Sequence, residues 1–271
     1  MKSAAPVRTA DATATEPPSS VAKACRILRA IGALAQPRLT DIAQATELDK
    51  ATVLRLLDAL AREGFVQRDA QTKLYRAGPE LQLAGVAALA RIDPRAIVRP
   101  SLLRLAHRFE DTAILSVPSG TESLCLDLEL GRYPIRANYL EPGHRRLLGV
   151  GAGSLALLAW LPAHERDAVL DIVGAQLQRT QRYPAIDRAL LQANATASRA
   201  RGHAVLLDVV VERMGGIGVP ILGADGRPVA ALSIAALSDR ITGRETELAQ
   251  ALQHEAALCQ SQWPGAASTP T

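Results

Sequence analysis

The sequence predicts an α+β protein of two domains, a small basic one and a larger mixed one, joined by a helix. The chain has 271 residues and 48% hydrophobic composition, enough to bury two cores. Its whole charge excess of +4 lies in residues 20–79, where ten Lys or Arg accompany six Asp or Glu. Apolar residues follow a helical period in the first part, whereas strand and helix periods alternate after residue 94.

The predicted boundaries follow these shifts in composition. Residues 1–19 are rich in Ala, Thr, Ser and Pro without apolar periodicity, which predicts a disordered tail, and a second disordered tail is expected at 263–271. Between the tails we predict a first domain at 20–80, a linker helix at 81–93 and a second domain at 94–262.

The first domain opens with two helices. Ser20 is expected to cap the first helix, which ends before Pro37, and Thr40 is expected to cap a short second helix. The apolar stripe predicted for the first helix consists of Val21, Ala24, Ile27, Leu28, Ile31 and Leu34.

A third helix and a hairpin follow in DKATVLRLLDALAREGFVQRD and KLYRA. Asp49 can cap the helix, and Gly64 can adopt the left-handed conformation that ends it. The spacing of the apolar residues predicts a buried stripe of Val53, Leu56, Leu57 and Leu60. FVQRD and KLYRA are then two strands joined by a turn at 70–72.

This order of elements is typical of a winged helix-turn-helix, whose third helix enters the DNA major groove while the hairpin lies beside the backbone. Double-stranded DNA is therefore the predicted partner, although protein-interaction modules also use winged helices. The residues predicted to contact DNA are Thr40, Lys50, Ala51, Thr52, Arg55, Arg68, Lys73 and Arg76.

The rest of the chain is predicted to form a connecting helix and a mixed sheet. Residues 80–91 form a helix that Pro94 ends and that can pair with its copy in a second subunit. Beyond it, helices are expected at 95–110, from 154, at 162–172, 186–201 and 243–262, and strands at 112–117, 123–130, 135–140, 216–222 and 229–237.

Several function classes find little support. Three scattered cysteines without a CxxC pair argue against a disulfide framework or a zinc site. No apolar run is long enough to span a membrane, and no signal peptide is present, so a cytoplasmic protein without a membrane partner is expected. The five histidines lack metal-ligand spacing, GVGAGS lacks the context of a dinucleotide loop, and no serine lies in GxSxG. We therefore predict no catalytic residue, no metal and no cofactor.

The residues do resemble a known family. SVAKACRILRAIGAL, LTDIAQATELDKATVLRLLDALAREGFVQRD and KLYRAGPELQLAG resemble the DNA-binding half of IclR-type (isocitrate lyase regulator) transcription factors. GVGAGSLALLAWL, ERMGGIGVPIL and DGRPVAALSIAALSDRIT resemble the effector domain of that family, which is GAF-like. The resemblance implies a regulator that binds a pseudo-palindromic operator as a dimer or dimer of dimers and responds to a small molecule. The alternative is a GAF-like sensor or enzyme with a vestigial DNA-binding domain.

The resemblance also implies which residues line the effector cavity: Gly151, Ala152, Gly153, Asp208, Gly216 and Ser233. The chain departs from the family pattern at Leu148, Leu206, Leu207 and Ala235, where polar side chains are common. A more apolar pocket is therefore expected, for a small organic acid of catabolism, either aromatic or branched. Arg136, Arg145 or Arg146 could pair with its carboxylate, or could be ordinary surface arginines.

Overall fold

The computed structural model describes residues 19–136 and 140–263, except for the side chain of Arg91. The chain divides into two compact units between Ala87 and Ala88. The predicted tails lie outside the described residues apart from their inner ends. The prediction is wrong at Trp263, which is only 8% exposed because its indole packs into the core of the larger unit.

The smaller unit contains the five predicted elements. These are α1 (Ser20–Ala33), α2 (Leu39–Thr46), α3 (Lys50–Arg62), β1 (Val66–Arg68) and β2 (Tyr75–Ala77), with β1 and β2 antiparallel. Two caps differ from prediction. Ser19, not Ser20, accepts from a backbone N–H of α1, and α2 begins one residue before Thr40. The Asp49 cap and the left-handed Gly64 are confirmed.

A single core holds the smaller unit together. Ile27 and Ile31 of α1 meet Val53 and Leu57 of α3, and all four are nearly inaccessible to solvent. Val21 departs from the predicted stripe, since it is 73% exposed at the start of α1. Burying large aliphatic side chains stabilises such a core by about 1.5–3 kcal/mol each, so this unit has an apolar core of its own.

Helix α4 (Pro79–Arg91) follows β2. Three of its apolar side chains remain exposed, at 62% for Leu83, 66% for Val86 and 41% for Leu89. Such side chains at three-residue spacing leave an apolar strip along the helix.

The larger unit is a six-stranded antiparallel sheet between helices. Its helices are α5 (Pro94–Phe109), α6 (Ala152–Ala159), α7 (Ala163–Thr180), α8 (Arg188–Arg201), α9 (Ser238–Thr242) and α10 (Glu245–Ser261). Its strands are β3 (Thr112–Ser119), β4 (Glu122–Glu129), β5 (Arg145–Leu147), β6 (Ala204–Leu207), β7 (Met214–Leu222) and β8 (Pro228–Leu237), in the order β5-β4-β3-β8-β7-β6.

Alternation along the strands separates the two faces of the sheet. Leu115 of β3, Val219 of β7 and Leu232 of β8 point to the layer formed by α5 and α10. Ala231, between two such residues of β8, packs instead with α6 to α8. The residues next to it on that second face, including Ser233, are free to line a cavity.

The sheet differs from the predicted one in three places: two short strands were not predicted, and one predicted strand is not observed among the described residues. β5 and β6 were not predicted, and each lies at an edge of the sheet with one partner strand. The strand predicted at 135–140 does not form at Ile135, Arg136 or Leu140, and residues 137–139 lie outside the described part. Ile135 is 54% exposed, and β5 already occupies the outer edge of β4. None of the helices in the described part of the chain combines the length and the hydropathy that a membrane span requires.

Candidate functional sites

The outer face of α3 carries the side chains predicted to meet DNA. Lys50, Ala51 and Arg55 are exposed, and Thr52 is partly buried beside them. The backbone N–H of Thr52 donates to Oδ1 of Asp49 at 2.8 Å, and this hydrogen bond lowers the pKa of the Asp49 carboxyl. The start of α3 is therefore fixed by a charged cap while its outer face stays open to a partner.

The hairpin presents a second set of exposed cations, namely Arg68, Lys73 and Arg76. Its turn is closed by Asp69, whose Oδ1 accepts from the backbone N–H of Thr72 at 2.7 Å. That bond is the largest cause lowering the pKa of the Asp69 carboxyl. The Arg68 guanidinium lies 5.5 Å from the centroid of the buried ring of Tyr75, its partner on the other strand of the hairpin.

None of the predicted DNA-contacting cations forms an ion pair with another described residue. The neighbouring carboxylates Asp49 and Asp69 are engaged by backbone N–H groups instead. Thr40 is exposed in the first turn of α2, and its Oγ1 lies 3.3 Å from Oδ1 of Asp41. Among the described residues, the smaller unit thus displays positive charge that is not held in ion pairs on α3 and the hairpin, as a polyanion-binding surface requires.

A cavity of about 570 Å³, counting its open mouth, lies in the larger unit between the sheet and the start of α6. Its polar lining comes from Ser116, Ser123, His144, Arg146, Ser154 and Ser233. Its apolar lining includes Ile114, Cys125, Leu140, Val150, Leu206, Val210 and Met214.

Glycines allow the start of α6 to approach the sheet closely. Gly151, the N-cap of α6, has φ +99°, a value that side-chain-bearing residues rarely adopt. A Cβ on Gly216 would lie 3.1 Å from the Cβ of Ala152, and one on Gly218 would lie 3.0 Å from Ala152 backbone atoms. The N–H groups of the first turn of α6 therefore border the cavity, where they favour a negatively charged ligand group.

Two buried hydroxyls face the same space. Ser116 is 5% exposed and Ser233 is 4% exposed, and a Cβ on Gly153 would lie 3.3 Å and 2.8 Å from their Oγ atoms. Among the residues described, neither hydroxyl has a hydrogen-bond partner. Ser154 differs, since its Oγ donates to the backbone oxygen of Leu147 at 2.9 Å. Both hydroxyls line the cavity and can each donate a hydrogen bond to, or accept one from, a ligand there.

Of the three arginines proposed for a carboxylate, the structure brings only Arg146 to the cavity lining. Arg145 donates to Ser119 Oγ at 2.7 Å and lies 3.5 Å from a Glu122 carboxylate oxygen. Arg136 is exposed and does not line the cavity. Burial raises the pKa of the Cys125 thiol to about 12, so it lines the cavity as a neutral group.

Five of the six predicted cavity residues do line it: Gly151, Ala152, Gly153, Gly216 and Ser233. Asp208 does not. It lies in a left-handed turn with φ +59°, and its Oδ1 accepts from Ser238 Oγ at 2.8 Å. Ser116, Ser123 and His144 also line the cavity, although they were not predicted from the sequence. The serines on the inward face of β3 and β4 were a usable signal, because polar side chains at buried strand positions are uncommon.

Comparison with known proteins agrees with both halves of this architecture. Residues 20–70 match the IclR helix-turn-helix domain family, and residues 86–260 match the family of the bacterial transcriptional regulator IclR C-terminal domain. The HTH-type transcriptional regulator BhcR of Paracoccus denitrificans is 31% identical over 212 residues, which are 78% of this chain and 75% of that protein.

Solved structures share the fold. An IclR transcriptional regulator from Alicyclobacillus acidocaldarius has a TM-score of 0.69 at 25% identity, over 89% of this chain and 97% of that one. An IclR homologue from Microbacterium hydrocarbonoxydans, in complex with 4-hydroxybenzoate, has a TM-score of 0.63 at 22% identity, over 90% and 98% of the two chains. With both halves matched in order, the chain belongs to the IclR family of DNA-binding, effector-responsive transcriptional regulators.

Proposed function

We propose that this regulator binds a small aromatic or branched carboxylic acid in the cavity beneath α6, and that the acid changes its affinity for an operator. The observation that carries the proposal is the pair of cavity-lining hydroxyls, Ser116 and Ser233, which have no hydrogen-bond partner among the described residues and lie beside Arg146 and the first turn of α6. A ligand with one carboxylate and an apolar body satisfies the polar groups and the apolar wall together.

The orientation of the acid follows from the lining. Its carboxylate lies towards Arg146 and the N–H groups at the start of α6, because a guanidinium and a helix N-terminus both favour negative charge. Its apolar body lies against Ile114, Leu206 and Met214. A hydroxyl on the ring of the acid can reach Ser116 or Ser233, which gives the site a means of selecting among acids.

The DNA-binding proposal rests on the smaller unit. Lys50, Ala51, Thr52 and Arg55 read base edges in the major groove, while Thr40, Arg68, Lys73 and Arg76 contact the phosphate backbone. The absence of ion pairs for these cations among the described residues supports this assignment, since the phosphates then supply their counter-charges.

Assembly is proposed to use the strip on α4. A pseudo-palindromic operator presents two half-sites, so two recognition helices must act together. Leu83, Val86 and Leu89 form an exposed apolar strip that pairing with a second copy would cover. A dimer, or a dimer of dimers, is the state proposed to bind the operator.

Calorimetric titration of the full chain with 4-hydroxybenzoate and a panel of aromatic and branched acids tests the ligand proposal. For the tightest acid, Arg146→Gln should weaken binding about 10-fold or more, the loss expected for a hydrogen bond to a charged group. The carboxamide analogue of that acid should bind the wild type and Arg146→Gln with the same affinity.

The control for this titration is Arg145→Gln, because Arg145 neighbours Arg146 in the chain but is held by Ser119 and Glu122 outside the cavity. Its affinity for the acid should stay within a factor of about 2 of the wild type. An equal loss in both variants, or none in Arg146→Gln, would contradict the proposed orientation.

A further inference from the structure

A second polar pocket lies where α6 ends, α7 begins and the turn between β7 and β8 folds over them. It encloses about 840 Å³, counting open space, and shares no lining residue with the cavity beneath α6. Its lining includes Trp160, Pro162, Arg166, Thr196, Arg199 and Arg227. Three arginines therefore converge on one pocket.

Arg166 carries the most informative atom. Its Nε is buried, and no described group accepts a hydrogen bond from it. Nor does Arg166 form an ion pair within the part of the chain that the structure describes. A buried guanidinium N–H without an acceptor is costly, because it has given up water and gained no partner in exchange.

Arg199 adds a second uncompensated charge. Its guanidinium carbon lies 5.6 Å from the centroid of the Trp160 ring, and it forms no ion pair with any residue that the structure describes. The indole positions the guanidinium but does not neutralise it. Arg227 differs, since its guanidinium donates to Glu165, and this hydrogen bond raises the Arg227 pKa.

The backbone adds positive potential at the same place. Helix α7 is 18 residues long and begins after Pro162, without a hydrogen bond from a capping side chain. Its first N–H groups carry the partial positive charge of a helix N-terminus. The carboxylate of Asp225, at the rim, already accepts from the backbone N–H of Arg227 at 3.0 Å.

We propose that this pocket binds a small anion bearing phosphate or carboxylate groups, as a second ligand site separate from the effector cavity. The anion accepts a hydrogen bond from Arg166 Nε and pairs with the Arg199 guanidinium, while the first turn of α7 adds attraction. Arginine suits this role because its planar guanidinium can bind two oxygens of one oxyanion.

The test is thermal unfolding of the full chain with 10 mM inorganic pyrophosphate or 10 mM citrate, against sodium chloride of equal ionic strength. Each anion that binds at about millimolar affinity should raise the midpoint of the larger unit by about 3 °C. Arg166→Met and Arg199→Met should each lose at least about half of that rise, because each removes a charge-assisted hydrogen bond. Methionine keeps most of the arginine stem, so packing around it changes little.

The control is Arg179→Met, an exposed position near the other end of α7, which should keep the full rise. The two anions also distinguish the ligand chemistry. Stabilisation by pyrophosphate alone indicates a phosphate site, stabilisation by citrate alone indicates a carboxylate site, and stabilisation by both indicates recognition of negative charge. If the anions stabilise Arg166→Met and Arg199→Met as much as the wild type, they bind elsewhere and the proposal is overturned. If neither anion stabilises the wild type, it is likewise overturned.

Discussion

Gly153 lies so close to Ser233 that a Cβ on the glycine would be 2.8 Å from the serine Oγ. The first turn of α6 therefore packs against the Ser233 hydroxyl of β8, and Ser116 of β3 lies beside it. Added volume at either position enters the cavity or displaces α6. The smaller unit has a separate apolar core, so such changes leave its fold intact.

We first predict that Ser233→Trp, and separately Gly153→Val, abolish ligand control while preserving DNA binding. Operator affinity without ligand should stay within about 1 kcal/mol of the wild type, whereas the effect of the acid, typically 1–3 kcal/mol in coupled systems, should be mostly lost. Fluorescence anisotropy with labelled operator, with and without the acid, measures both. Ser261→Trp at the exposed end of α10 is the control and should respond normally.

A second prediction separates base reading from backbone contact. Arg55→Ala should weaken specific binding by about 1–3 kcal/mol and random-sequence binding by much less, whereas Lys73→Ala should weaken both alike. Electrophoretic shifts on operator and scrambled duplexes over a salt series provide the data. Lys73→Ala should also reduce, by about 1, the magnitude of the slope of log affinity against log salt concentration. Arg62→Ala, in the last turn of α3, is the control, and equal losses on both duplexes for Arg55→Ala would rule out base reading.

The third prediction concerns assembly through α4. Leu83→Glu combined with Leu89→Glu should raise the dimer dissociation constant at least about tenfold, because two charges then enter an apolar contact. Light scattering over a dilution series gives the mass. Ile172→Glu on α7 is the matched control, since Ile172 is 54% exposed in the larger unit. An unchanged mass together with unchanged operator affinity would place the dimer contact elsewhere.

The fourth prediction is a pH dependence of stability. Glu255 on α10 accepts two hydrogen bonds from Arg104 on α5, at 2.8 Å and 2.6 Å. Burial raises the pKa of the Glu255 carboxyl, but the hydrogen bonds from Arg104 and Ser101 outweigh it, so the pKa lies below its ordinary value of 4.5. A lowered folded-state pKa means that the stabilisation is present above pH 4.5 and is lost as the pH falls through the folded-state pKa.

Glu255→Gln should therefore lower the free energy of unfolding at pH 7 by about 1–3 kcal/mol, and the difference from wild type should shrink below pH 4.5. Urea unfolding followed by tryptophan fluorescence reports on the larger unit, which contains both tryptophans. Glu247→Gln is the control. Glu247 also pairs with α5, through Arg108, but its side chain is 52% exposed, so its loss should cost less than about 1 kcal/mol. A constant difference for Glu255→Gln at all pH values would contradict the assignment.

Local patterns predicted the smaller unit well, because its elements are set by neighbours in sequence. Val53 and Leu57 mark the buried side of α3, and Asp49 and Gly64 mark its ends. The prediction that Thr40 caps α2 was wrong, because α2 begins at Leu39 and Asp41 accepts from the backbone N–H of Arg38. Such one-residue differences are expected where two polar residues compete for a helix start.

The cavity was only partly predictable, since distant strands form it. Ser116 and Cys125 become neighbours through pairing of β3 with β4, with a register shift at Leu115/Ser116 that no local pattern reveals. Asp208 was assigned by resemblance, but its left-handed turn directs it to Ser238. Two of the three residues of β5 are arginines. A strand with this composition is compatible with a position at the edge of the sheet, where it has one partner strand.

We propose that one acid, bound in the cavity beneath α6, changes the affinity of α3 for an operator. The most direct measurement is operator affinity of the wild-type protein, by anisotropy at fixed salt, without the acid and at a concentration that calorimetry shows to be saturating. We expect a change of about 5- to 150-fold, and in Arg146→Gln the same change should require an acid concentration about 10-fold higher or more. An unchanged operator affinity at proven saturation of the cavity would contradict it.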